Sequence, residues 1–137
     1  MSIDTAVDRY ADFFRNFSPS DLDRFHDFFA ENAHFRDPFN DVYGVAAIRK
    51  VFAHMYQQCA QPRFEVNDYA ISGQVAYLHW RFNCDEGLVI DGLSKVVFDE
   101  RGMVLEHLDY WDAVAQVYQR IPLLGSILRI IRRKLAA

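Results

Sequence analysis

Up to Gln61-Pro62 the apolar residues recur at helical spacing; beyond it they alternate with polar ones. The first part predicts a helix over Ile3 to Phe17, with Ile3, Val7, Tyr10, Phe14 and Phe17 on one face and Ala6 and Phe13 beside them. Ser18-Pro19-Ser20-Asp21 reads as a helix start: a serine N-cap, a proline at the first helical position, and an acid where a capping box needs one. A second helix runs to about Ala30, turning Leu22, Phe25, Phe28 and Phe29 inward, and Glu31-Asn32 ends it. The stretch from His34 to Cys59 opens as a short extended segment. It stops at Pro38, which has no N–H to give to a sheet. Pro38 also biases Asp37 toward extended backbone, so Asp37 stands at a strand end, where a side chain can face a cavity. A third helix follows, with Val45, Ile48, Val51, Phe52, Met55 and Cys59 on its apolar face.

The alternating part predicts four strands: Phe64 to Ser72, Val75 to Cys84, Leu88 to Phe98 and Met103 to Trp111. Ser72-Gly73, Asp85-Glu86-Gly87 and Asp99-Glu100-Arg101-Gly102 are the turns between them. Connections this short make hairpins, hence an antiparallel meander. In the second strand Ala76, Leu78, Trp80, Phe82 and Cys84 face one way, and Tyr77, His79, Arg81 and Asn83 the other. Helices first and strands afterwards give an α+β domain with helices on one face of a curved sheet. One domain spans residues 1–137, its core about 6–112 and its tail 113–137. The tail, broken by Pro122 and Gly125, predicts two short helices.

Composition sharpens this picture. Twelve Phe, seven Tyr and two Trp are enough for a large core or one holding an apolar pocket. A formal net charge of −4 argues against a nucleic-acid binder. Cys59 and Cys84 form no C-x-x-C pattern and read as buried thiols. With no signal-peptide pattern and no long apolar run, a cytoplasmic protein is expected.

The last strand carries the pattern richest in chemistry. By period two, Met103, Leu105, His107, Asp109 and Trp111 share a face whose apolar members mark it as buried. An ionisable pair on such a face is either a satisfied core pair or the polar lining of a pocket. Asp37 has two readings as well, a general base in a dry place or a turn carboxylate that accepts backbone N–H bonds. His79 is expected on the outer sheet face, and His26, His34 and His54 at the surface or an edge. His34, Asp37, His107 and Asp109 are metal-ligand types, but no metal-site spacing occurs and no metal is expected. The chain contains no nucleophile elbow, dinucleotide fingerprint or phosphate-binding loop, so no cofactor is expected either. In the tail, Leu124, Ile127, Leu128, Ile131 and Leu135 form an apolar stripe, with Arg129, Arg132, Arg133 and Lys134 near its end. Residues 123–137 thus either cover the core or touch an anionic membrane surface or partner.

Two helices, then FRDPFNDVYGVAAIRKVF, then a meander ending VVFDERGMVLEHLDYWD, resemble the SnoaL-like and ketosteroid-isomerase-like proteins of the nuclear transport factor 2-like superfamily. The resemblance runs from about Ala6 to Asp112. It implies a cone: a strongly curved antiparallel sheet wrapped on helices around a deep apolar pocket, with homodimers common. It implies Asp37 as the general base. The oxyanion-hole tyrosine and aspartic acid of the isomerase correspond here to Phe13, which cannot donate a hydrogen bond, and Ser94, which donates a weaker one. His107 and Asp109 stand where the isomerase has apolar residues, and supply a relocated acid–base set. The expectation is a cofactor-free isomerase, cyclase or hydrolase for a small hydrophobic, steroid- or polyketide-like substrate. Asp37, His107 and Asp109 would be catalytic, and Phe13, Trp80, Ser94 and Trp111 would shape the pocket. The alternatives are a binding protein with the same pocket and an interaction protein using the basic tail.

Overall fold

A computed structural model describes residues 1–84, 87–116, 129–130 and 133–136. Helix α1 (Ile3–Arg15) begins at Ser2, whose hydroxyl accepts the N–H of Thr5 at 3.3 Å. Its inner face carries Ala6, Val7, Tyr10, Ala11, Phe13 and Phe14, all buried. Strand β1 (Phe29–Arg36) and the short β2 (Asp41–Tyr43) lead into α2 (Val45–Gln58). Gly44 precedes α2 at a φ of 92°, a backbone state that glycine enters without steric cost. Four strands then follow in hairpin order: β3 (Arg63–Ser72), β4 (Val75–Asn83), β5 (Val89–Phe98) and β6 (Val104–Tyr110). A single helical turn, α3 (Ala113–Gln116), ends the continuously described chain.

The six strands form one curved, unclosed sheet in the order β2-β1-β6-β5-β4-β3. The meander is antiparallel, as its short turns require, but β1 joins β6 in parallel. The first strand is thereby brought beside the last, and their ends meet. The inner face carries Ala76, Leu78 and Phe82 on β4, and Ile90, Ser94, Val96 and Phe98 on β5, all buried. Gly92 on β5 pairs with Trp80, and a Cβ at that position would overlap the Trp80 indole. Against this face lies an aromatic layer in which Phe13 stacks on Phe28 at 4.1 Å and Tyr10 meets Phe14, Phe29 and Phe98 edge-on.

The structure corrects several sequence expectations. The segment after Ser18 forms two 3-10 turns, Pro19–Asp23 and Phe25–Asp27, in place of a helix to Ala30. The predicted capping box is present, and Arg24 pairs with Asp21 at 2.9 Å. Glu31 and Asn32 lie within β1 because Phe29, Ala33 and Phe35 are drawn into the core as strand residues. On β6 the register slips between Val97 and Phe98, leaving Leu105 without a cross-strand partner. Val104 is therefore buried and Leu105 exposed, while His107 keeps its inward aim. Cys59 and Cys84 are not free thiols: a disulfide joins the C-terminal end of α2 to the residue after β4, with Cα atoms 5.4 Å apart. The tail expectations for 113–137 lie mostly outside the described residues. Within them, 113–116, 129–130 and 133–135 are helical, and Ile130 and Leu135 are exposed.

Candidate functional site

Between α2 and the concave side of the sheet lies a cavity of about 550 Å³, within the range of small-molecule sites. One wall is apolar, with Val51, Phe52 and Met55 from α2 and Phe14 from α1. The strands add Phe64, Leu78, Phe82 and Ile90. A polar strip crosses the opposite wall, where Tyr10, Trp80, Ser94, His107 and Asp109 converge.

These five side chains form one hydrogen-bonded chain. Trp80 Nε1–H donates to Ser94 Oγ at 2.7 Å, and Ser94 Oγ–H donates to Asp109 Oδ1. His107 Nε2 lies 2.6 Å from the same oxygen, and its Nδ1 lies 2.7 Å from Tyr10 Oη. Burial, reinforced by the Asp109 charge, pushes the Tyr10 hydroxyl well above the ordinary tyrosine range, so it keeps its proton. The carboxylate can only accept, so His107 Nε2–H donates to Asp109; in the neutral imidazole Nδ1 is then the acceptor, and Tyr10 O–H donates to it. The local sequence makes this possible. Ser94 and Asp109 are direct partners across β5 and β6, and Phe35, the β1 partner of His107, stacks on its ring at 5.1 Å. Ser94 and His107 both reach Asp109 through Oδ1.

Asp37 lines the same cavity at its mouth, beside Asn40, His54 and Gln58. Its Oδ1 accepts the backbone N–H groups of Phe39 (2.8 Å) and Asn40 (2.7 Å), and Asn40 Nδ2 donates to both carboxylate oxygens at 3.1 Å. Trp111 stands across the mouth, where Phe39 meets it edge-on. The structure thus brings Asp37, His107, Asp109, Trp80, Ser94 and Trp111 to one hollow. It does not bring Phe13, which packs into the aromatic layer against Phe25 and Phe28. Phe14 and Tyr10 line the wall in its place. Tyr10 is the residue that sequence reasoning missed. Its signal was a lone hydroxyl among the phenyl rings of a buried helix face, since such a hydroxyl must find a partner.

The remaining histidines do other work. His34 points away from the cavity and is held by Asp41 (2.6 Å) and Glu106 (3.1 Å). His79 lies on the outer face between Asp68 and Asp91, as its strand parity requires. Among the described residues no group of three or more His, Cys, Asp or Glu side chains is arranged to hold a metal ion.

Comparison with known proteins agrees with this architecture. The sequence profile of the SnoaL-like domain matches residues 10–116. No curated protein matches the sequence. Several solved structures share the fold. An isomerase candidate of the SnoaL-like family from Agrobacterium tumefaciens superposes with a TM-score of 0.67 at 19% identity, covering 79% of this chain and 95% of that one. A candidate SnoaL-like polyketide cyclase from Jannaschia gives 0.69 at 12% identity, covering 82% and 87%. A nuclear-transport-factor-2-like protein of unknown function from Cytophaga hutchinsonii gives 0.65 at 13% identity, covering 82% and 92%.

Proposed function

The chain belongs to the SnoaL-like domain family, and from that premise we propose that it is a cofactor-independent acid–base enzyme of the isomerase or cyclase type. Its substrate is a small hydrophobic molecule bearing an acidic carbon next to a carbonyl. The observation that carries the reading is the chain Tyr10–His107–Asp109–Ser94–Trp80, set into a hollow walled mostly by apolar side chains. A carboxylate fixed by donors on one oxygen is pre-oriented to take a proton on the other. In this reading Asp109 Oδ2 removes and later returns the proton, and the His107 Nε2–H bond to Oδ1 stabilises the carboxylate between the two steps. Asp37 is the second carboxylate of the hollow, and its ties to the 37–40 turn favour Asp109 as the stronger candidate. Trp80, Ser94 and Trp111 shape the wall.

The test is turnover of a panel of cyclic and polycyclic ketones by the wild type, Asp109→Asn and Asp37→Asn. General acid–base help of this kind is worth roughly 10²–10⁴ in rate, so Asp109→Asn should lose about that much, and Asp37→Asn less. Full activity in Asp109→Asn removes the assignment. The second reading, a binding protein without turnover, is favoured by one observation: the Trp80 and Tyr10 donors are already engaged inside the chain, which leaves neither for a developing oxyanion. A bound ketone recovered with its acidic hydrogens intact would support that reading.

On location, no described helix is long and apolar enough to cross a membrane. The Cys59–Cys84 bridge sits uneasily with the cytoplasmic expectation, because a reducing cytosol keeps thiols open.

A further inference from the structure

Gly92 stands inside β5, on the buried inner face between Ile90 and Ser94. Glycine inside a strand weakens it, and often marks a bulge or a close approach of another group. The pairing of β5 with β4 runs through Gly92 without a shift, and its φ, unlike that of Gly44, is not positive. The close approach comes from the cross-strand partner, Trp80. A Cβ at Gly92 would fall 2.5 Å from Cη2 and 3.0 Å from Cε2 of that indole, and nearer still to Cζ2. Nε1 is bonded to Cε2 and lies 2.7 Å from Ser94 Oγ. The edge of the indole from Cη2 to Nε1 therefore runs along β5 from Gly92 to Ser94.

We propose that Gly92 is a positioning residue for the polar chain: the space of its missing side chain seats the Trp80 indole where Nε1–H reaches Ser94. The indole N–H can only donate, so Ser94 Oγ is the acceptor of that bond. The one hydroxyl proton of Ser94 is then left for Asp109. A side chain at position 92 would lift the indole off β5 and into the cavity, which Trp80 lines. The Trp80 donation would be lost, and the Ser94 hydroxyl would be free to turn from Asp109 toward a ligand. Gly92 touches no reacting atom and acts through Trp80 and Ser94. The seat itself is a property of the fold; its bearing on turnover rests on the acid–base reading given above.

The experiment reads the two indole N–H signals of the isotope-labelled full chain by NMR, with Trp80→Phe identifying the one that belongs to Trp80. In the wild type that signal should be protected from solvent exchange and should shift in Ser94→Ala. In Gly92→Ala it should move upfield, exchange faster and no longer respond to Ser94→Ala. A Trp80 signal that stays in place in Gly92→Ala and still responds to Ser94→Ala would overturn the proposal and leave the proposed function standing. A second comparison holds even if Gly92→Ala fails to fold. The substitution should lower the Tm, or prevent folding, in the wild type, and do much less in Trp80→Phe, whose shorter ring no longer covers position 92. Equal damage in both backgrounds would overturn the seat. On a ketone that the wild type exchanges, Gly92→Ala should slow deuterium uptake roughly two- to tenfold, the worth of one hydrogen bond, and add no further loss to Trp80→Phe. Additive losses would overturn a role exerted through Trp80. A wild type that exchanges no ketone would overturn the acid–base reading, while the indole signals would still decide the seat.

Discussion

Tyr10 shows how much one side chain decides. Its hydroxyl serves the Nδ1 atom of a buried histidine, and the other ring nitrogen of that histidine serves Asp109. Tyr10→Phe deletes one oxygen and leaves Nδ1 without its partner in an apolar layer. A buried polar atom stranded in this way costs about 1–3 kcal/mol. Urea unfolding should show that loss, and the activity sought above should fall with it. An unchanged midpoint would mean that another group reaches Nδ1. At this scale the sequence was partly legible. Period two aimed His107 and Asp109 inward, and they are inward, but Leu105, of the same parity, is turned outward by a bulge. A register slip depends on the neighbouring strand and leaves no mark in local alternation. Tyr10 was not legible because on a helix face rich in phenyl rings a tyrosine reads as core, and only the fold sets His107 beside its hydroxyl.

Two features of the elements have measurable consequences. His34 ties β1 to β2 and β6 through Asp41 and Glu106. Burial alone would lower its pKa, but the hydrogen bonds and charges of the two carboxylates raise it above the ordinary value. A raised folded-state pKa adds stability that is fully present below about 6.5, the unfolded value, and is lost as pH rises through the folded one. The stability gap between the wild type and His34→Gln should therefore be widest near pH 5.5 and narrow toward pH 8.5, as read by thermal unfolding. A gap that widens with pH would contradict the pairing. The disulfide is the second feature. It spans 25 positions, and closing a loop of that size is worth roughly 3 kcal/mol. Replacing both cysteines by serine should lower the urea midpoint accordingly, and a dithiol reductant should reproduce the drop in the wild type. The bridge was illegible in the sequence because two cysteines on apolar faces read equally well as buried thiols; only the fold brings the end of α2 to the end of β4. The 3-10 turns after Ser18 were illegible for a related reason. The capping signal is real, but the phenyl rings beyond it are claimed by the aromatic layer and by β1 before a helix can lengthen.

For the whole molecule, the α+β class, the helix-then-meander order and the aromatic excess were all readable, because each follows from local spacing or composition. The parallel pairing of β1 with β6 was not, since it joins distant parts of the chain. That junction makes the site: it sets Phe35 against His107 and brings the Asp37 turn to the end of the strand bearing Asp109. On the outer face Tyr77, Leu93 and Tyr110 stand exposed. The account turns on whether the Asp109 carboxylate exchanges a proton with a carbon acid held in the hollow. The most direct measurement is deuterium incorporation from heavy water next to the carbonyl of a bound ketone, followed by NMR for the wild type and Asp109→Asn side by side. The account predicts incorporation by the wild type and its near-complete loss in a folded Asp109→Asn. Equal incorporation by the two proteins, or none by the wild type with ketone demonstrably bound, would contradict it.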